Sequence, residues 1–338
     1  MAPQSPSLPK GKVFLLLGCF AIDPLWRAPA VADTQAAALI QERGRPLQAG
    51  RMTGESRTAL ERAEGGDTPI LTFTAGRGPV RLLLDTGAAS ALVSPGLVRR
   101  LGLVSRPLPT QAFSLAGGGA DCGALTLSST RLPELRLPSG ARAAPLRLLG
   151  VEALVIPVAA LPKGVDGVLG APSLKQLPFV VDPVAGKVLV GRPAEQWRQA
   201  IGAPSEVVPL AWQRGVPLLQ IRARSRSGAR IQTVDALADT GAEGLFLTPS
   251  LAALLTPLGP AQSARLVGVC GEQAVLRQRL FGMGLGPQRP PDQSVEAIVT
   301  DGPVFSLLGV QAIVGQEWLR TRRQLWRLDA SPPRLELW

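Results

Sequence analysis

Apolar residues in this chain fall in short runs of about four to eight, cut by Gly, Pro and polar turns. That spacing predicts strands joined by tight turns. Two runs share a feature. Leu82-Leu83-Leu84 ends on Asp85 and turns through Thr86-Gly87-Ala88-Ala89-Ser90. Ala236-Leu237-Ala238 ends on Asp239 and turns through Thr240-Gly241-Ala242-Glu243-Gly244. Each run reads as a buried strand, and Gly after Thr lets the backbone turn sharply and come close to the Asp.

The likeness extends well beyond the turns. Pro69-Ile70-Leu71-Thr72-Phe73 leads to the first, Pro217-Leu218-Leu219-Gln220-Ile221 to the second. Downstream, Val151–Val155 matches Val295–Val299, Gly167-Val168-Leu169-Gly170 matches Ala312-Ile313-Val314-Gly315, and Phe179–Asp182 matches Trp326–Asp329. Each copy closes on a short apolar strand, Lys187–Val190 and Arg334–Leu337. A repeat of this length predicts two homologous halves.

A carboxylate at the end of a buried strand is costly to desolvate alone and needs partners or a shared proton. Two such turns suggest a matched pair. Carboxylates held close together do not both ionise easily, so the pair offers a general base and a general acid at once. That is what is needed to activate a water against a peptide carbonyl and protonate the leaving nitrogen.

Asp-Thr-Gly-Ala, present twice, resembles the active-site motif of aspartic proteases, and its Ala is similar to the retropepsin-like branch. The resemblance covers residues 68–338. It implies an all-β fold: two homologous retropepsin-like barrel lobes on one chain, with the active-site cleft between them. It makes Asp85 and Asp239 the catalytic pair, supported by Thr86, Gly87 and Ala88 and by Thr240, Gly241 and Ala242. A hydrophobic-hydrophobic-Gly element is expected beside each loop, at Val168-Leu169-Gly170 and Ile313-Val314-Gly315, each followed by a short helix. Gly-rich flaps are expected at Leu115–Ala120, with Gly117, Gly118 and Gly119, and at Leu266–Gly271, with Gly268 and Gly271. A mobile flap would close over bound peptide and exclude water.

The chain departs from pepsin-like enzymes in two ways. It has no Tyr, so no flap can carry one. Ala88 and Ala242 replace a hydroxyl residue, which removes a donor to each Asp and should raise the acid limb of the pair. Cys122 and Cys270 fall in or beside the flaps; they read as unpaired thiols, with a disulfide across the cleft as the alternative.

Composition narrows the rest. With no His there is no Ser-His-Asp triad, Cys-His pair or His-ligated zinc. No metal or organic cofactor is implied. Lys+Arg outnumber Asp+Glu, 36 to 25, but the Arg residues are scattered and only 4% of residues are aromatic. We read the excess charge as solvated surface and expect no nucleic-acid partner. At 46% hydrophobic, the chain can bury a core, and 338 residues leave room for two domains.

Residues 1–30 read as a targeting segment, with Lys10 and Lys12 ahead of the apolar run Val13–Ile22. Leu16-Leu17-Gly18-Cys19 resembles a bacterial lipobox with Cys19 as the lipidated residue, although Leu17 is not the usual small residue; a plain secretory signal or an uncleaved anchor are the alternatives. Export is expected, with membrane anchoring through the N-terminus where the signal is retained or lipidated. Residues 31–66 read as a tether with a short helix over Ala36–Glu42. Residues 67–192 and 206–338 are the two expected lobes, and residues 193–205 a linker containing a short helix from Pro193. The expectation is an aspartic endopeptidase acting as a monomer on peptide or protein substrates. The alternative is a non-catalytic peptide-binding module on the same fold.

Overall fold

The computed structural model describes residues 33–36, 38–76, 78–109, 113–119, 126–137, 144–156, 161–228, 230–286 and 288–338. The fold is all-β: two ten-stranded sheets and a six-stranded sheet carry most of the chain, and the helices are short. Among the described residues no helix is long and apolar enough to cross a membrane. Cys19 and the targeting segment lie outside the described residues, as does Cys122.

The unbroken apolar runs are explained by burial on two faces. In the strand Gly78–Asp85, Val80, Leu82 and Leu84 join one core cluster while Leu83 joins another. In Ile231–Ala238, Ala236 and Ala238 face the shared core while Leu237 faces a third cluster. Side chains alternate across a strand, so a strand covered on both sides must be apolar at every position.

The repeat seen in the sequence is a repeat of topology. Gly167–Gly170 runs parallel to Gly78–Asp85, with Gly170 opposite Asp85, and antiparallel to Ala91–Val93. Ala312–Val314 runs parallel to Ile231–Ala238, with Val314 opposite Ala238, and antiparallel to Leu245–Leu247. Each copy then enters a helix with Pro in its first turn, Pro95–Leu101 or Pro249–Leu254. Ser94 caps one by accepting from Leu97 N at 3.1 Å, and Thr248 caps the other from Leu251 N at 3.3 Å.

The six-stranded sheet mixes the halves. Its order is Glu206–Pro209, Arg334–Leu337, Gln324–Arg327, Phe179–Asp182, Lys187–Val190, Ser56–Ala59. Phe179 and Trp326 stack at 5.9 Å where the copies meet. The helix Arg192–Ile201 joins them, and Trp197 in it donates to Asp182 Oδ2 at 3.0 Å.

One expectation is overturned. The residues read as a tether are built into the sheets, and the short helix read over Ala36–Glu42 is absent. Asp33–Ala36 and Leu39–Arg43 are strands, followed by Ala49–Thr53, Ser56–Ala59 and Glu61–Arg62. Ala-rich composition suggested helix, but a helix this short is marginal on its own. Here Ala38, Leu39 and Ile40 are all buried, and strand pairing satisfies their neighbours' backbone groups.

Candidate active site

The two Asp-Thr-Gly loops meet face to face. Asp85 Oδ1 accepts from Gly87 N at 2.7 Å, and Asp239 Oδ1 accepts from Gly241 N at 2.8 Å. Each glycine also lies against the opposite carboxyl: a Cβ on Gly87 would stand 2.2 Å from Asp239 Cγ, and one on Gly241 would stand 2.3 Å from Asp85 Cγ. A side chain at either position would exclude the pairing, which is the physical reason for Gly there.

The threonines tie the loops together. Thr86 Oγ1 donates to Ala238 O at 2.7 Å and Thr240 Oγ1 donates to Leu84 O at 2.5 Å. Each hydroxyl also accepts the other threonine's backbone N–H at 3.0 Å. Beside the loops sit Gly170 and Gly315. A Cβ on Gly170 would meet Ala88 O at 2.6 Å, and one on Gly315 would meet Ala242 O at 2.3 Å. The residues after them fasten the same carbonyls, Ala171 N to Ala88 O at 2.9 Å and Gln316 N to Ala242 O at 2.8 Å.

Both carboxyls are fully buried. Burial pushes Asp85 well above the ordinary carboxylate range, the charge of Asp239 pushes it further, and the Gly87 and Ala88 N–H groups oppose the rise. Burial likewise raises Asp239, to about 6, against the hydrogen bond from Asp85 and the N–H groups of Gly241, Gly87 and Ala242. Among the described residues no other group donates a hydrogen bond to Oδ2 of either Asp, so the contact left to the carboxyls is with each other. The arrangement holds one shared proton and presents one anionic oxygen. Among the described residues no group of three or more Cys, Asp or Glu side chains is gathered to hold a metal ion.

Two glycine-rich tips lie over this pair. Ser114–Gly117 runs on through Gly118 and Gly119, and Gln262–Gly268 returns as Gly271–Leu285 around Val269-Cys270. The tips touch. Cys270 N donates to Gly118 O at 3.0 Å, and a Cβ on Gly119 or Gly268 would collide with Gly271 O or Gly118 O, at 2.2 and 2.0 Å. Cys270 is disulfide-bonded, which corrects the expectation of an unpaired thiol there.

Between tips and floor lie residues 33–36 and 38–43 of the same chain. Asp33–Ala36 pairs parallel with Gln262–Gly268, and Leu39–Arg43 pairs antiparallel with Ser114–Gly117. On the floor, Leu39 N donates to Gly87 O at 3.2 Å and Ala89 N donates to Leu39 O at 2.7 Å. From above, Gly118 N donates to Ala38 O at 3.3 Å.

Reading the sequence missed this segment, and it missed Glu243. The Glu243 carboxylate accepts from Asp67 N at 2.7 Å, Thr68 N at 2.9 Å and Thr68 Oγ1 at 2.5 Å, joining the entry to the first Asp strand to the second Asp loop. Its counterpart in the first copy is Ala89, so the only available signal was that break in the repeat. Gln316, whose Nε2 donates to Thr240 O at 2.7 Å, was legible only as the residue after the glycine element.

The solved structures similar to this chain include two seed proteins. Conglutin gamma, a basic 7S globulin from lupine seeds, shares 12% identity at a TM-score of 0.45, over 89% of this chain and 95% of that one. Basic 7S globulin from soybean shares 10% identity at a TM-score of 0.43, over 84% and 95%. A search of curated proteins finds no match. The family model described as aspartyl protease matches residues 71–173, a span that takes in Asp85 and Gly170 and ends short of Asp239.

Proposed function

We propose that this chain is an aspartic endopeptidase of the single-chain, two-lobed, retropepsin-like kind, with Asp85 and Asp239 as its catalytic pair. One observation carries the reading: two fully buried carboxyls, each bonded to its own loop glycine, face each other with both Oδ2 atoms free of other donors. In the mechanism, the anionic carboxylate takes a proton from a water held between the pair while the protonated one donates to the scissile carbonyl oxygen. The tetrahedral intermediate then collapses as the leaving nitrogen takes up the proton. No covalent intermediate forms on the protein, and which Asp acts as base belongs to the pair and not to either residue.

The substrate in this reading is an extended peptide or protein segment held by backbone hydrogen bonds between the glycine-rich tips and the Asp loops. The apolar run at Val13–Ile22 supports export, with anchoring through Cys19 as one form of it. Both Asp loops lie on one chain and are tied to each other through Thr86 and Thr240, so in this reading a monomer suffices.

A second reading, a peptide-binding module without catalysis, is favoured by the strand already seated over the pair. The experiment that separates them is digestion of a mixed unfolded-peptide library across pH, using protein cut within residues 44–46 so that the seated strand can leave. Cleavage blocked by a statine-type inhibitor supports the protease. A folded, strand-free sample that binds peptides and cuts none supports the binding module.

A further inference from the structure

We propose that one face of the strands Ser105–Pro107, Ser128–Arg131 and Leu146–Val155 carries a binding site for a phosphomonoester, held by Arg45, Arg106 and Arg131 and separate from the paired aspartates.

Strand register builds the site. Ser128–Arg131 lies between the other two strands and runs antiparallel to both, with Arg106 opposite Ser129 and Arg131 opposite Glu152. Ser129 and Arg131 are two positions apart, so the four side chains share one face. The stretch between Leu39–Arg43 and Ala49–Thr53 brings Arg45 and Gln48 beside them, and Gln48 O accepts from Glu152 N at 2.9 Å. These six residues line most of a cavity of about 300 Å³. At roughly 30 Å³ per water it has room for about ten waters. That is enough for a phosphoryl group and a small part of the molecule that carries it.

The charges in the cavity do not balance. Three arginines face one glutamate, which leaves two positive charges uncompensated. Glu152 is already engaged: Arg45 Nη2 and Gln48 N each donate to Oε2 at 3.4 Å, and Ser129 Oγ donates to Oε1 at 3.4 Å. Opposite charges in facing positions of a sheet ordinarily pair. Arg131 instead donates to Gln48 Oε1 at 3.2 Å. The Arg106 side chain makes no hydrogen bond or ion pair among the described residues.

That excess selects the ligand. A phosphomonoester carries about −1.5 to −2 charges near neutral pH, which matches the two uncompensated charges. One guanidinium fork can satisfy a planar carboxylate by itself. Donors arriving from three separate elements suit a phosphoryl group, whose three terminal oxygens point apart.

The test titrates glycerol 1-phosphate into the full chain by calorimetry, at low salt and near neutral pH. Arg106→Gln and Arg131→Gln probe the site. Arg51→Gln is the control, an exposed arginine on the neighbouring strand Ala49–Thr53 and outside the cavity. We expect a Kd below about 1 mM for the parent. Each site variant should bind at least about fivefold more weakly with its Tm unchanged, and Arg51→Gln should bind as the parent does. Malonate, a planar dicarboxylate, should bind at least about fivefold more weakly than glycerol 1-phosphate. No heat of binding up to about 10 mM overturns the site. An equal loss in Arg51→Gln reduces it to general attraction by a basic surface, and equal binding of malonate overturns the phosphoryl assignment. Sedimentation with phosphatidylcholine vesicles, with and without phosphatidate, separates two sources of the same group. Retention that needs phosphatidate and is lost in Arg106→Gln makes a lipid headgroup the ligand. Glycerol 1-phosphate binding without such retention makes it a soluble phosphomonoester.

Discussion

Thr86 and Thr240 each donate a hydroxyl hydrogen bond to the residue just before the opposite aspartate, and each accepts the other's backbone N–H. The four bonds are fully buried, so the position of Asp85 relative to Asp239 is set by groups that exchange nothing with water. Thr86→Val keeps the shape and removes one donor and one acceptor, leaving Ala238 O and Thr240 N unpaired. We expect a loss of about 2–4 kcal/mol by urea denaturation. The double variant Thr86→Val/Thr240→Val should cost less than the sum of the singles, because the second change acts on a network already broken.

Gly170 and Gly315 should not tolerate even a methyl group. The contacts a Cβ would make are with backbone carbonyl oxygens, which cannot swing aside. Gly315→Ala, with the shorter contacts at Ala242 O and Gly244 O, is expected to destabilise by about 2–3 kcal/mol and Gly170→Ala by somewhat less, read as shifts in Tm.

Glu243 fastens the first Asp strand's entry to the second Asp loop. Glu243→Ala leaves Asp67 N, Thr68 N and Thr68 Oγ1 without their acceptor. A loss of about 2 kcal/mol is expected, measured by chemical denaturation. The residue contacts neither carboxyl of the pair by hydrogen bond, so residual cleavage per folded molecule should persist.

The pH dependence follows from the raised carboxyls. Below the lower value of the pair both protons are held and no base is available, and Asp239 is raised to about 6. Cleavage should therefore be low near about pH 3 and rise into the mildly acidic to neutral range. Stability runs the other way. A carboxyl with a higher pKa in the folded chain binds more protons there than when unfolded, so stability falls as pH rises from the ordinary 3.8 through about 6. Asp239→Asn removes the charge that must be buried. It should stabilise the chain at neutral pH by roughly 1–3 kcal/mol and change little at pH 3, as read by thermal melts at both pH values.

Much of this was legible because the repeat carries it. The Asp turns, the glycine elements at Gly170 and Gly315, and the closing strands Lys187–Val190 and Arg334–Leu337 recur with the same apolar spacing, and spacing is what a strand writes into sequence. Segment 33–43 was not legible, because its strand character comes from partners more than seventy positions away and its own residues are Ala-rich and locally neutral. The bond at Cys270 was hidden for a similar reason: a disulfide depends on a distance that spacing along the chain does not supply.

The central claim is that the two buried aspartates together cut peptide bonds. Its most direct test is cleavage of an unfolded-peptide library between about pH 4 and 8 by protein cut within residues 44–46, beside Asp85→Asn and Asp239→Asn forms shown to be folded. The account predicts cleavage by the parent and loss of at least about a thousandfold in each single variant, since neither carboxyl alone supplies both base and acid. Cleavage that survives either substitution would contradict it.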